Sequence, residues 1–262
     1  MKQAQITAEY IDHSGSDLMV VNAARASFGK ESSWAPGSLL EEDGGRKLKQ
    51  ADASLIRFLA TGYRTSEWED FLIQVEGTVV NGTAKDLTDL LHAYKRKAQH
   101  FAPFAHPHLT IRMSLPIFLA RQFVKHQIGG TWSEESRRYI SDEPDVWFPN
   151  EWHTRPEDVK QGSGGLVKDH HFVDGEARES TQDAINTYNQ LLENGVAPEE
   201  ARTILPLNMM TTVVWTGSLL FWSRVYNQRT DSHAQLAAQE LAALIGAIVE
   251  PHYPVSWAAL TT

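Results

Sequence analysis

LPIFLARQFVKHQIGGTWSEESRRY, residues 115–139, joins a short apolar segment to a Gly-Gly-Thr turn and a strongly charged segment. Residues 121–139 include three Arg, one Lys, one His and two Glu. The apolar part predicts a buried helix, and Pro116 suits its first turn, where a missing N–H has no consequence. So many convergent hydrogen-bonding groups beside a buried anchor indicate a site for an anionic small molecule.

Composition places the chain among globular proteins. Its 262 residues are 42% hydrophobic and include 8 Trp, which is enough for a large core. We find neither an internal repeat nor a linker, and we expect a single domain over residues 1–262. Because the chain has no long apolar run and no apolar N-terminal segment, we expect a cytoplasmic protein away from membranes.

Charge and cysteine content narrow the chemistry. A net charge of −9 argues against binding of a nucleic acid polymer, but it permits a basic pocket for one phosphate. The chain contains no Cys, which excludes disulfides, thiolate metal sites and thiolate nucleophiles together. A demanding reaction at carbon would therefore take its reactivity from a cofactor.

Hydrophobic periodicity predicts a chain of mixed secondary structure. Strand-like runs lie at residues 6–12, 18–24, 71–80 and 108–114, and helical spacing lies at 52–63 and 115–127. Asn81-Gly82 ends the third run, and Thr83 with Asp86 resembles the N-cap of a following helix. Further helices are predicted at residues 176–194, 209–226 and 232–249. Residues 151–175, with a Gly-rich tip at 161–165, predict a loop insertion.

Four blocks of sequence together resemble the flavin-dependent thymidylate synthases, the ThyX family. They are VNAARASFGK at 21–30, HFAPFAH at 100–106, PIFLARQFVKHQ at 116–127 with SEESRRY at 133–139, and ARTILPLN at 201–208 with RTDSHAQ at 229–235. Their order and spacing make chance resemblance improbable. The resemblance implies an α+β fold in which helices flank a mostly antiparallel sheet. It also implies a homotetramer with active sites between subunits.

The same resemblance implies a reaction, the reductive methylation of dUMP to dTMP. Methylenetetrahydrofolate would donate the one-carbon unit, and NADPH would supply electrons through FAD. The absence of Cys agrees with this, because the family uses hydride from the reduced flavin and no thiolate attacks the pyrimidine ring. A thymidylate synthase that depends on a Cys nucleophile is excluded by composition.

The resemblance also assigns roles to individual residues. Arg229 matches the catalytic Arg, whose fixed guanidinium can stabilise charge that develops on the uracil ring. Substrate-binding positions are matched by Gln122, Lys125, Glu134, Ser136, Arg138 and Arg202, and the Ser136 hydroxyl and the two guanidiniums suit a phosphate dianion. Flavin-binding positions are matched by Ser27, His100, Lys125, His126, Gln127, Glu134, Arg224 and His233. Arg137 is expected to be solvated.

The signature departs from the family pattern at its basic positions. The family has Arg-His-Arg, seven residues and then Ser, whereas Lys125-His126-Gln127 is followed by eight residues before Ser136. Lys125 keeps the charge without the planar fork, and Gln127 loses the charge. A second flavin-contacting stretch, Asn-Ala-Arg in the family, corresponds to Ser-Leu-Leu at residues 218–220. These changes predict weaker or rearranged flavin binding.

Alternatives stay open on the sequence. A noncatalytic relative, or one that acts on another pyrimidine nucleotide, would keep the phosphate site and alter the flavin positions. A metal-dependent hydrolase could use His106 and His108, which alternate along one strand, with His100, His170 and His171. No His-Glu-x-x-His motif accompanies these histidines. Without the resemblance, Arg229 would be interpreted as forming a surface ion pair with Asp231, since most such neighbours are structural.

Overall fold

The computed structural model describes residues 1–36, 46–61, 65–95, 100–156 and 163–261. The chain forms two compact units. The first comprises Met1–Asp12, Thr110–Thr216 and Arg224–Ile248, and the second comprises His13–Leu109, Gly217–Ser223 and Val249–Thr262. Each unit is therefore assembled from three separate parts of the chain.

Four strands pair into a sheet: β1 (Thr7–Ser14), β2 (His108–Pro116), β3 (Gly130–Glu134) and β4 (Met210–Ser218). The sheet is antiparallel, with the spatial order β1-β2-β4-β3. Alternate side chains of the central strands are buried, among them Ile111 and Met113 on β2 and Val213 and Trp215 on β4. This period of two is the burial that a pleated strand imposes. The sheet and its helices confirm the predicted α+β fold.

Ten α-helices accompany the sheet in the described ranges. They are α1 (Asp17–Ala26), α2 (Gln50–Leu59), α3 (Thr65–Asn81), α4 (Ala84–Lys95), α5 (Ile117–Phe123), α6 (His170–Glu193), α7 (Pro198–Ala201), α8 (Leu219–Arg229), α9 (Leu236–Val249) and α10 (Pro254–Thr261). Within the part of the chain that the structure describes, no helix combines the length and apolar character needed to span a membrane.

Many of the predicted elements are confirmed. The runs at residues 6–12 and 108–114 are β1 and β2, and the helices at 52–63, 115–127 and 232–249 are α2, α5 and α9. The N-cap of α4 is confirmed because Asp86 N donates to Thr83 Oγ1 at 3.3 Å while Thr83 N donates to the Asp86 carboxylate at 2.7 Å. Pro116 occupies the N-cap of α5, one residue before the first turn.

Helix α6 begins earlier than the predicted residue 176. Asp169 accepts a hydrogen bond from the backbone N–H of Phe172 at 3.0 Å and caps the helix at His170. The last residues of the predicted insertion, 151–175, are therefore helical. Of the predicted Gly-rich tip at 161–165, residues 161 and 162 lie outside the described residues.

The strands predicted at residues 18–24 and 71–80 are wrong, because these residues lie in α1 and α3. The second run is rich in β-branched side chains, whose strand preference depends on their packing. In the structure α3 packs against α4, and the Thr78 hydroxyl donates to the Gln74 carbonyl one turn earlier at 2.8 Å. Ile73 and Val79 remain exposed. Helix pairing thus outweighs the local preference.

The helix predicted at residues 209–226 is wrong in its first half, because β4 continues to Ser218 before α8 begins. The change of structure is fixed at Gly217 and Ser218. The Ser218 hydroxyl accepts from the backbone N–H of Phe221 at 3.2 Å, as an N-cap does. A Cβ on Gly217 would come within 2.1 Å of the Phe221 ring. Glycine therefore leaves room for the first turn of α8.

The second unit holds α1 by a buried carboxylate. Helix α1 packs against α2 and α10. Asp17, which is 3% exposed, accepts hydrogen bonds at 2.9 Å from the backbone N–H groups of Val255 and Ser256 at the start of α10. Burial raises the pKa of Asp17, and these hydrogen bonds oppose the rise. Asp17, the first residue of α1, thus caps α10. This contact fixes α1, the helix that ends just before Ser27.

Candidate functional site

Arg229, at the last position of α8, is held by the end of α5 within the first unit. Its Nε donates to Nε2 of His126 at 3.0 Å, and its Nη2 donates to the carbonyl oxygen of Gln122 at 3.1 Å. The guanidinium carbon lies 5.4 Å from the centroid of the Phe123 ring. Nη1 takes part in neither hydrogen bond. These contacts orient the guanidinium and leave one edge for a ligand.

His126 is neutral in this arrangement. Burial, and then the positive charge of Arg229, lower the pKa of His126 from 6.5 to about 4. Because Nε2 accepts a hydrogen bond from Arg229, the ring proton of the neutral form lies on Nδ1. Burial also lowers the pKa of Arg229, but a guanidinium remains charged at neutral pH. The pair is therefore one fixed cation beside a neutral acceptor.

Glu134 is fixed at the end of β3. One carboxylate oxygen accepts from the Thr211 hydroxyl at 3.0 Å, and the other accepts from Nε1 of Trp132 at 3.1 Å. Glu135 is connected through its backbone, whose N–H donates to the Thr212 carbonyl at 2.9 Å. Of the two neighbouring glutamates, the side chain of Glu134 thus has an orientation set by β4 and β3.

A cavity of about 330 Å³ opens beside Glu134 in the first unit. Its volume is at the lower end of the range of small-molecule sites, roughly 300–1,000 Å³. The polar side chains of its lining are Glu134, Glu135, Ser136, Arg137, Glu199, Arg202, Thr203 and Thr211. Three residues predicted to bind the nucleotide, Glu134, Ser136 and Arg202, therefore share one cavity, although they come from distant parts of the chain.

The two neighbouring arginines differ in a way that the sequence does not indicate. Arg138 is exposed and lies outside the cavity lining. Its Nε donates to the Ser136 hydroxyl at 3.2 Å, and its guanidinium carbon lies 4.9 Å from the centroid of the Tyr139 ring. Arg137 is half-buried, lines the cavity and donates from Nη1 to the Asp142 carbonyl. The expectation that Arg137 is solvated is wrong. The backbone turn after β3 decides which arginine faces inward.

The other predicted residues of the first unit lie on α5 and α8 or in the segments that follow these helices. Lys125 and Gln127 are exposed, and Arg224 is half-buried on α8. Gln122 donates from its side chain to the Gln235 side chain at 2.6 Å. His233 is exposed and pairs with Asp231, whose carboxylate lies 3.0 Å from Nδ1. Asp231 thus bonds to His233, while the hydrogen bonds of Arg229 go to α5 and His126.

The second unit contains a larger cavity of about 970 Å³, which two of the predicted flavin-binding residues, Ser27 and His100, both line. Its aromatic lining includes Phe28, 77% exposed, and Phe58, whose ring lies 5.9 Å from the His100 ring. Exposed aromatic side chains around a concave surface suit a planar ligand.

Arg25 supplies a positive charge to the lining of this larger cavity. Its Nη2 lies 2.6 Å from the carboxylate of buried Asp52, which also accepts from the Ser32 hydroxyl. Arg25 Nε is buried and has no hydrogen-bond partner among the described residues. Ser27 and His100 therefore lie in a cavity that combines apolar walls with the basic side chains of Arg25 and Lys30.

Residues 218–220 have a packing role in the second unit. Ser218 caps α8, and Leu219 and Leu220 are buried.

The histidines considered as metal ligands include His106 and His108. Nδ1 of His108 lies 2.9 Å from the backbone carbonyl oxygen of His106. Across the described residues, no three His, Cys, Asp or Glu side chains cluster closely enough to hold a metal ion.

Comparisons with known proteins cover most of the chain. Residues 9–255 match the family model described as thymidylate synthase complementing protein. A flavin-dependent thymidylate synthase of Kosmotoga olearia is 33% identical over 169 residues, which cover 63% of this chain and 73% of that protein. Another from Thermus thermophilus is 27% identical over 249 residues, covering 95% of this chain and 73% of that protein.

Solved structures resemble the fold over nearly its whole length. The crystal structure of a UMP/dUMP methylase, PolB from Streptomyces cacaoi, bound with 5-Br dUMP, superposes with a TM-score of 0.72 at 24% identity. The match covers 99% of this chain and 96% of that chain. The same enzyme bound with 5-Br UMP gives a TM-score of 0.70 at 22% identity. At these identities the likeness concerns the fold.

Proposed function

The chain belongs to the thymidylate synthase complementing protein family, and from this we propose that it is a flavin-dependent thymidylate synthase that methylates dUMP to dTMP. The observation that carries the proposal is the fixed guanidinium of Arg229, held at 3.0 Å by neutral His126 and at 3.1 Å by the Gln122 carbonyl. Neither of these two acceptors is a carboxylate, so the hydrogen bonds do not neutralise the cation. A rigid cation of this kind is suited to stabilising negative charge on a ligand.

Arg229 is proposed to act on the uracil ring. A guanidinium does not exchange its proton at neutral pH, so its role is electrostatic rather than that of an acid or a base. It favours the N3-deprotonated ring and stabilises the charge that develops as C5 becomes nucleophilic. Neutral His126 accepts a hydrogen bond without cancelling the positive charge. The full charge of Arg229 thus remains directed at the substrate.

Binding of the nucleotide is assigned to the small cavity and the residues around it. The family resemblance assigns Ser136, Arg138 and Arg202 to the phosphate, and Gln122, Lys125 and Glu134 to the rest of the nucleotide. Arg202 donates from Nε to the Glu199 carbonyl at 3.2 Å, which leaves both Nη groups for a phosphate. The hydrogen bonds of Glu134 to Trp132 and Thr211 hold its carboxylate in place for a hydroxyl of the sugar.

The residues of the larger cavity fit a flavin dinucleotide. Its volume of about 970 Å³, its aromatic walls and its basic side chains, Arg25 and Lys30, match a large planar cofactor that carries phosphates. Ser27 and His100 line it and are proposed to contact FAD. The family resemblance also assigns to flavin binding six residues of the first unit: Lys125, His126, Gln127, Glu134, Arg224 and His233. When bound, FAD would supply the hydride for the reductive step.

The proposal includes NADPH as reductant, methylenetetrahydrofolate as one-carbon donor and a homotetramer with active sites between subunits. It also includes a cytoplasmic location and a single functional domain over residues 1–262 with a loop insertion at 151–175. The match over residues 9–255 supports treating the chain as one functional domain. An altered nucleotide specificity is the second candidate, because Lys125 and Gln127 replace arginines of the family signature.

Mass spectrometry of the nucleotide product tests the activity. Purified protein is incubated with dUMP, methylenetetrahydrofolate, FAD and NADPH, and a parallel reaction contains UMP in place of dUMP. We expect dTMP from dUMP. In the Arg229→Ala variant we expect the rate to fall about 10²- to 10³-fold, the effect of removing one donor that stabilises developing charge. Modification of UMP alone would establish the altered specificity. No product from either nucleotide, with dUMP still bound, would indicate a noncatalytic relative.

A further inference from the structure

Arg137 belongs to the lining of the small cavity. It is half-buried beside Ser136 and Arg202. Its Nη1 donates to the Asp142 carbonyl, which fixes the plane of the guanidinium. Its Nε is buried and finds no acceptor among the described residues. Nη2 forms no hydrogen bond among the described residues, so it is the atom of Arg137 from which a ligand in the cavity can accept.

The charges of the cavity indicate the chemistry of that ligand. Two guanidiniums, of Arg137 and Arg202, line it together with the carboxylates of Glu134, Glu135 and Glu199. A ligand with one strongly anionic group and a sugar hydroxyl would satisfy both signs, since guanidiniums bind phosphate and carboxylates accept from hydroxyls. A nucleoside monophosphate has this combination.

We infer that Arg137 binds the phosphate of the substrate directly, together with Arg202, and that Arg138 positions the Ser136 hydroxyl. This inference rests on the proposed function. Arg138 is exposed and its Nε is already bonded to Ser136 Oγ at 3.2 Å, whereas Arg137 lines the cavity. The assignment differs from the role that the family signature gives to Arg138, and it arises from the direction in which the chain leaves β3.

The experiment measures binding of dUMP and of deoxyuridine, which lacks the phosphate, by isothermal titration calorimetry of the full chain. Three single variants each remove one positive charge: Arg137→Gln, Arg138→Gln and Arg112→Gln. Arg112 is exposed on β2 and serves as the charge-matched control. We expect Arg137→Gln to weaken dUMP binding roughly 10- to 100-fold, the loss typical of a charge-assisted hydrogen bond. Binding of deoxyuridine should stay unchanged.

The outcomes separate the inference from the function on which it rests. We expect the wild type to bind dUMP more tightly than deoxyuridine. Loss of this preference in Arg137→Gln, but not in Arg112→Gln, supports direct phosphate binding. Equal weakening of both ligands by Arg137→Gln would show a structural role and overturn the inference. The inference would also be overturned if Arg138→Gln removes the preference for dUMP and Arg137→Gln does not. A wild type that binds neither ligand would instead contradict the proposed function. Arg137→Lys should recover part of the preference, because it restores the charge without the fork.

Discussion

Arg229 Nε and His126 Nε2 are joined by a hydrogen bond of 3.0 Å that connects the end of α8 to the chain just after α5. A cation that donates to an imidazole requires the imidazole to be neutral, and the lowered pKa of His126 agrees with this requirement. The orientation of the proposed catalytic residue therefore depends on the protonation state of its neighbour.

The first prediction concerns the pH dependence of stability. Between pH 6.5 and about 4, the unfolded chain binds a proton at His126 and the folded chain does not, so the free energy of unfolding falls as the pH is lowered through this window. We expect the effect to be about 1–2 kcal/mol, reduced by solvent screening because the ring is only partly buried.

Urea denaturation of the wild type and of His126→Gln on both sides of this pH window measures the effect. Gln does not titrate, so the wild type should lose stability relative to the variant as the pH falls. A difference between the two proteins that is independent of pH would show that His126 is not held neutral in the folded chain.

The second prediction concerns the two neighbouring glutamates. Glu134→Ala leaves the hydroxyl of Thr211, a residue that is 3% exposed, without its acceptor, and we expect a loss of about 1–3 kcal/mol of stability. The matched change Glu135→Ala removes a carboxylate whose residue is connected through its backbone, so its effect should stay within about 0.5 kcal/mol. Thermal unfolding of the two variants compares them directly, and equal losses would contradict the assigned hydrogen bonds.

The third prediction tests the transition from β4 to α8. Gly217→Ala would place a Cβ 2.1 Å from the ring of Phe221, a residue that is 2% exposed and cannot easily move, and we expect a loss of about 1–3 kcal/mol. Gly175→Ala in α6 meets no atom within 4 Å and should raise stability by up to about 1 kcal/mol through helix propensity. Calorimetry should therefore show a lower melting temperature for Gly217→Ala and a higher one for Gly175→Ala than for the wild type.

The fourth prediction concerns the altered signature. Gln127 is exposed after α5, where the family signature has an arginine, so Gln127→Arg restores a charge that can bind a flavin phosphate. We expect the flavin dissociation constant to fall roughly fivefold to tenfold, the effect of about 1 kcal/mol. Fluorescence titration with FAD measures it. Gln5→Arg, which adds the same charge at another exposed position, is the control, and equal effects of both variants would exclude a specific contact.

Part of the fold could be read from local sequence. The alternation of β2 and the helical spacing of α2, α5 and α9 were predictable because each has one buried face with its own period. The run at 71–80 was not, since its β-branched residues suit a strand, whereas α3 takes its structure from packing against α4. The run at 209–226 was not either, because Val214, which lies between buried Val213 and Trp215, is also apolar, so the period of two in the burial of β4 does not appear in its residue types.

The sequence by itself determined the chemistry available to this protein: no thiolate, a set of guanidiniums and histidines, and motif blocks in a recognisable order. Only the tertiary structure decided how those groups are used. It brought Ser136 and Arg202 to one cavity, joined Arg229 to His126, and selected Arg137 over Arg138 for the cavity lining. The physical reason is that burial and hydrogen-bond partners depend on which distant segments meet, and two adjacent arginines with the same chemistry carry no local signal that separates them.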